Sequence, residues 1–321
     1  MRAKVKGDIG LAEAVISVAD LDDAIGFWRR FADWRIFHHG DVAAEALSLW
    51  PTPQDMGARE AVMGPPGWAR GFVRLIQFGD GKHRTVRGHA RPFDTGGLFD
   101  LNVRVNDVDA AFARLEAQGG HGIAEPTQFQ FGPFLVKESP VAVKGGYVIA
   151  LIERLAPKLP PEQQPKYVSG VHQIVAVVKD YETPRRVLVD VLGFAVQTEM
   201  ADPTPSPGTN ILGLPNNLAM QSIVKLGIFR PGPEGTGVFE LLSFDGATGE
   251  DLSHRACAPN RGILSARYRV ADLGEMVKRL QHAGMAHRGP IAVDLPPYGA
   301  TEIVTLDFAE GARLELLGEL P

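Results

Sequence analysis

The chain has 321 residues, 45% of them hydrophobic and 22% charged, with a formal net charge of -5. That length and apolar content support about two globular domains and exclude a disordered chain, while the mild acidity offers no basic field for nucleic acid or an anionic membrane. The lone Cys257 rules out an intrachain disulfide or a cysteine zinc cluster and is expected to be a small half-buried residue. The first eight residues lack the apolar run of a secretory signal, and no stretch of about twenty apolar residues occurs, so a cytoplasmic protein without a membrane span is expected.

In chain order, the first predicted unit is a strand, Ala14-Val-Ile-Ser-Val-Ala, closed by Asp20 and followed by a helix with Leu21, Ile25 and Trp28 on one face. His38 and His39 come next and are expected in a loop. The segment from Lys82 to Gly96 reads as a solvated basic connector; its arginines and histidines could otherwise grip an anionic group. The phrase then returns as Leu101-Asn-Val-Arg-Val-Asn with Asp107, and its helix carries Val108, Phe112 and Leu115. Phe129, Phe131 and Phe134 precede a glycine hairpin at Lys144–Gly146 and a closing strand that ends at Glu153.

Four prolines between Leu155 and Gly170 mark a stiff linker. A third copy, Ile174-Val-Ala-Val-Val-Lys with Asp180, precedes Thr183-Pro184, which reads as a cap with proline at the first helical position. The fourth, Ala266-Arg-Tyr-Arg-Val-Ala with Asp272, leads to Leu273, Val277 and Leu280, then Tyr298, a Glu310-Gly311 turn and a final Leu314-Glu315-Leu316 strand. Each aspartate ends a strand and can accept from the free amides of the helix that follows, a structural role. The expected fold is α+β: four βαβββ modules paired into two domains, each with a cupped mixed sheet. Residues 8–155 form the N-terminal pair, 156–170 the linker and 171–321 the C-terminal pair.

The run from Asp180 through Leu192-Gly193-Phe194, with the terminal Leu314-Glu315-Leu316, resembles the vicinal oxygen chelate superfamily of glyoxalases, bleomycin-resistance proteins and extradiol dioxygenases. The resemblance covers nearly the whole chain. It implies two cups, with metal ligands on the first and last strands of each module, the first-strand ligand standing seven residues before the capping aspartate. The matching first-strand positions are Glu13, Asp100, Gln173 and Ser265; the last-strand positions are Arg74, Ala150, Glu240 and Glu315.

With consecutive modules paired, the N-terminal cup holds Glu13, Arg74, Asp100 and Ala150, a guanidinium among carboxylates that suits an ion-pair cluster rather than a metal. The C-terminal cup holds Gln173, Glu240, Ser265 and Glu315. The resemblance implies that Gln173, Glu240 and Glu315 would take a hard divalent cation such as Mg²⁺, Mn²⁺ or Ca²⁺, with Glu240 or Glu315 moving a proton. Ser265 stands where the family usually has histidine, and no histidine falls on a first-strand ligand position unless the register shifts to His172, which argues against extradiol iron chemistry. Phe131 and Tyr298 are candidates for lining a substrate pocket.

The implied function is an enzyme acting on a small oxygenated metabolite, aromatic ones included, by lyase, isomerase or dioxygenase-related chemistry. The alternatives are a binding or resistance protein of the same fold without a metal, and a metal-free enzyme using Glu13, Arg74 and Asp100. A small molecule is the expected partner, with neither nucleic acid nor membrane, and a homodimer is the assembly to test.

Overall fold

The computed structural model describes residues 9–53, 55–88, 91–203, 208, 210–232 and 235–320. Residue 8, where the first half was expected to begin, and His89 of the basic connector lie outside them. Module one comprises β1 (Gly10–Ser17), α1 (Leu21–Ala32), β2 (Arg35–Asp41), the short α2 (Ala44–Leu47), β3 (Ala58–Gly64) and β4 (Phe72–Phe78). Module two comprises β5 (Leu98–Val105), α3 (Val108–Glu116), β6 (His121–Gly122), β7 (Thr127–Phe131), β8 (Phe134–Val143) and β9 (Tyr147–Ala156). Module three has β10 (Val168–Val177), α4 (Glu182–Arg186), β11 (Ala195–Pro203), α5 (Asn216–Ala219), β12 (Ile223–Arg230) and β13 (Val238–Asp245). Module four has β14 (Gly262–Arg269), α6 (Leu273–His282), β15 (Arg288–Leu295), β16 (Gly299–Ala309) and β17 (Ala312–Glu319).

The strand-to-helix turns form as the sequence dictates. Asp20, Asp107 and Asp272 are extended N-cap residues whose side chains accept from the amides of Asp23, Ala110 and Glu275. Module three departs from the expected cap: Asp180 accepts from Glu182 and Thr183, so the helix opens at Glu182 and Pro184 falls inside its first turn, where a proline needs no donor. The helical stripes face inward, with Leu21, Ile25, Trp28, Leu115 and Leu280 buried in one core shared by both sheets and the helices.

The sheets correct the expected pairing of modules. One runs β15-β16-β17-β14-β1-β4-β3-β2 and joins module four to module one; the other runs β11-β12-β13-β10-β5-β9-β8-β6 and joins module three to module two. The joints are antiparallel, β1 with β14 and β5 with β10. The proline-rich linker therefore does not divide two separate halves. It is pinned by Asn106, whose Nδ2 donates to the Pro165 carbonyl at 2.7 Å, and returns the chain beside the strand it must pair with, within one sheet. The chain instead changes sheets twice, between β4 and β5 and again between β13 and β14. Composition marks stiffness, and it does not say which strands a stiff segment connects.

Candidate functional site

All the family ligand positions fall on first and last strands, in one common register. Val15 pairs with Arg74, Asn102 with Ala150, Val175 with Glu240 and Arg267 with Glu315, so each last-strand position lies opposite the residue two beyond the first-strand position. Because side chains two apart share a face, each pair of positions points into its cup. The module pairing then redistributes them. Glu13, Arg74, Ser265 and Glu315 share the first cup (modules one and four); Asp100, Ala150, Gln173 and Glu240 share the second (modules two and three). The expected convergence of Gln173, Glu240 and Glu315 is thereby corrected: Glu315 stands on the other sheet. Asp100 likewise leaves Glu13 and Arg74, and Ser265 leaves Gln173.

The first cup is filled by a charge network. Arg74, fully buried, meets Glu13 at 2.7 Å and Glu60 at 2.7 Å. Arg267 bridges Glu13 at 2.7 Å and Glu315 at 2.6 Å, and Arg313 reaches Glu315 at 3.2 Å. Three guanidiniums and three carboxylates balance. The Tyr298 hydroxyl donates to Glu13 at 3.0 Å, so this ring plugs the charge cluster. Burial pushes Glu13 and Glu315 upward, but Arg74 and Arg267 around the first, and Arg267 and Arg313 around the second, more than offset it and hold both carboxyls below the usual range. Arg267 and Arg313 escaped the sequence reading. The spacing of Arg267, two residues past Ser265 on the same face, was the available signal.

The second cup is the opposite case. Burial, then Asp100 and Glu138, raise the Glu240 carboxyl well above its ordinary value; burial and Glu138 do the same to Asp100, against a weaker pull from Arg87. Glu138, on β8, is pushed up to about 7 by burial. Gln173 donates its side-chain amide to Glu240. The Oδ1 atoms of Asp100 and Asn102 are buried without a partner, although the two residues are only 5% and 2% exposed. Glu138 and Asn102 were missed because neither sits on a family ligand position.

A single cross-strand row organises this face: His121, Ala142, Val148, Asp100, Val175, Glu240 and Ile228 lie side by side across seven strands. Over one end of the row is a cavity of about 120 Å³ lined by Arg87, Phe99, His121, Ala142, Tyr147 and Val148 among others. Arg87 also corrects the solvated-connector reading, being only 6% exposed.

Other candidates lie elsewhere. His172 is the extra residue of a bulge in β10, half-buried with Nδ1 unpartnered, and burial, with Arg104, holds its ring well below the ordinary histidine range. His38 and His39 are in strand β2 rather than a loop, His38 lying 3.3 Å from Glu60. Phe131 pairs with Phe134 at the tip of the β7–β8 hairpin, and Cys257 is exposed rather than half-buried.

Solved structures share this architecture. Glyoxalase I from Zea mays is 15% identical, with 97% of this chain aligned to 92% of that one at a TM-score of 0.59. A Bacillus subtilis strain 168 protein, provisionally described as a dioxygenase, is 10% identical over 99% of this chain and 87% of its own, at a TM-score of 0.63. The chain has the vicinal oxygen chelate fold. No protein-family model matches it, and no curated protein matches it by sequence.

The vicinal oxygen chelate fold usually carries a divalent metal in a cup, and the donor sets of the two cups can be tested for it. Among the described residues, no group of three or more His, Cys, Asp or Glu side chains is arranged to hold an ion. The first cup does not fit, since three guanidiniums already neutralise its carboxylates. The second fits a hard cation in donor chemistry: it offers two carboxylates, Asp100 and Glu240, with the amide oxygens of Asn102 and Gln173, and two of these oxygens lack partners.

Proposed function

We propose that the protein is a vicinal oxygen chelate-type enzyme acting on a small oxygenated metabolite, and that the second cup is its working site. The observation that carries this reading is the asymmetry of the cups. Every carboxylate in the first is matched by an arginine, whereas Asp100, Glu138 and Glu240 are gathered in the second against the weak opposition of Arg87 alone. Buried carboxyls left in that condition cost stability and are retained where chemistry uses them.

Asp100 and Glu240, with the amide oxygens of Gln173 and Asn102, would hold a divalent cation such as Mg²⁺ or Mn²⁺, which when bound supplies Lewis-acid polarisation of a substrate oxygen. Glu240 is the proposed proton-transfer group, since a carboxylate beside the reacting carbon can serve as general base. Gln173 orients it through the side-chain amide. Glu315 is not assigned a role in proton transfer, because Arg267 and Arg313 keep it ionised and occupied.

Metal analysis of protein purified without chelators, followed by Mn²⁺ titration monitored by electron paramagnetic resonance, tests the site. Wild type and Glu315→Gln are expected to bind alike, and Asp100→Asn and Glu240→Gln to lose the ion. Cation binding that survives Glu240→Gln, or a wild type that takes up none, overturns the assignment and leaves the binding-protein reading.

A further inference from the structure

Arg87 is buried, yet everything it bonds is neutral. Its Nη1 donates to the Gly96 carbonyl at 3.0 Å, and its Nη2 to the carbonyls of Asp94 at 2.8 Å and Arg91 at 3.2 Å. The Asp94 carboxylate is engaged by the Arg91 side chain at 2.7 Å and by the Glu250 amide at 2.8 Å. Among the described residues Arg87 forms no ion pair, and its Nε is buried without an acceptor. A buried cation in that state is costly, and the penalty is relieved by a carboxylate that brings both charge and acceptor.

The cavity beside it gives such a group room. Phe99, whose ring centroid lies 5.0 Å from the guanidinium, and Tyr147 wall it; Ala142 and Val148 form its floor. An apolar cavity of about 150 Å³ accommodates benzene, so about 120 Å³ holds roughly five non-hydrogen atoms. Val148 is the direct cross-strand neighbour of Asp100. Adjacent strands lie about 4.8 Å apart, so the Val148 side of the cavity is one strand from Asp100, whose charge Arg87 also feels.

We propose that this cavity is the anion subsite of the second cup and that the substrate is a short carboxylic acid, its carboxylate seated on Arg87 and its further oxygen presented to Asp100. The inference rests on the second cup being the working site. It goes beyond that reading by naming the charge and size of what enters.

Titration calorimetry with propionate, its neutral isostere propionamide and inorganic phosphate tests the subsite in the full chain. Wild type is expected to bind propionate about tenfold more tightly than propionamide, the scale of a hydrogen bond to a charged group, and to bind phosphate more weakly. In Arg87→Met the preference falls to about one. Arg87 also holds the connector, so a second variant, Ala142→Leu, fills the floor without touching it; propionate binding should vanish there while Mn²⁺ binding persists. Equal affinity for propionate and propionamide, phosphate binding as tight as propionate, or propionate affinity unchanged in Ala142→Leu each overturns the proposal. Loss of Mn²⁺ binding in Glu240→Gln is read separately, so failure of the subsite and failure of the cup assignment are distinguishable.

Discussion

Replacing Arg74 with methionine removes one of three positive charges from the first cup and leaves Glu13, Glu60 and Glu315 facing Arg267 and Arg313. The loss does not fall evenly. Glu13 keeps Arg267 at 2.7 Å and the Tyr298 hydroxyl at 3.0 Å, whereas Glu60 keeps only His38 at 3.3 Å. Glu60 is 4% exposed, so it becomes the isolated buried charge. Breaking one side of a buried pair costs about 3–5 kcal/mol, a large share of a domain's stability. The pH dependence follows from the sign of the shifts. In wild type, Glu13 and Glu315 are held below their ordinary value of 4.5, so their stabilisation is complete above that value and fades as pH falls through the lowered pKa. In Arg74→Met the guanidinium that does most to depress Glu13 is gone, so the variant's deficit is greatest near neutrality and shrinks as pH falls through the lowered Glu13 pKa of the wild type. Urea denaturation at pH 7.5 and at about pH 3.5, with and without Glu60→Gln, measures this. The double variant, neutral again, should recover all but about 1–2 kcal/mol. A single-variant loss under about 1 kcal/mol, an equal loss at both pH values, or no rescue by Glu60→Gln would refute the idea that Arg74 stands in for a cation.

Glu138→Gln should stabilise the protein at pH 8 and change little at pH 4. The native carboxyl titrates near 7 against 4.5 unfolded, so the native state binds the extra proton and stability falls as pH rises between those values, by about 3 kcal/mol at most; chemical denaturation across that range in the cation-free protein reads the slope. Asp107→Ala removes the side chain that accepts from the Ala110 amide at 2.9 Å and should cost about 1 kcal/mol, measured as a shift in urea midpoint with unchanged m. Gly96→Ala should cost at least about 2 kcal/mol, because the residue has a φ of +99° and a Cβ there would lie 2.3 Å from the Ser253 nitrogen; a thermal scan showing no loss would mean the connector is not held as described.

The modules were legible because their signals are local. An aspartate that closes a strand and caps a helix leaves a trace within eight residues, and three of the four caps formed as read. The register of the ligand positions was legible too, since alternation fixes which residues share a face. Module pairing was not. It depends on which first strands lie side by side, and Val15 opposite Ser265 or Val175 opposite Asp100 is a contact between segments far apart in the chain, with no periodicity to announce it. The site assignment inherited that gap, so Glu315 was grouped with Gln173 although each belongs to a different sheet.

The correct pairing also explains why both cups persist in such different states. In the first, Arg74 on β4 occupies a last-strand ligand position, and two further arginines complete the neutralisation, so the cup is sealed without an ion. In the second, the corresponding position is Ala150, which carries no charge and lies opposite Asn102, itself the cross-strand partner of Gln173. An arginine at 150 would place a guanidinium among Asp100, Glu138 and Glu240 and close that cup as Arg74 closes the other. The small residue keeps the carboxyls unmatched, at a cost in stability, and unmatched buried carboxyls are what a cation, a proton or a substrate can still engage. The charge pattern of four equivalent positions thus divides one repeated architecture into a neutralised cup and an unmatched one.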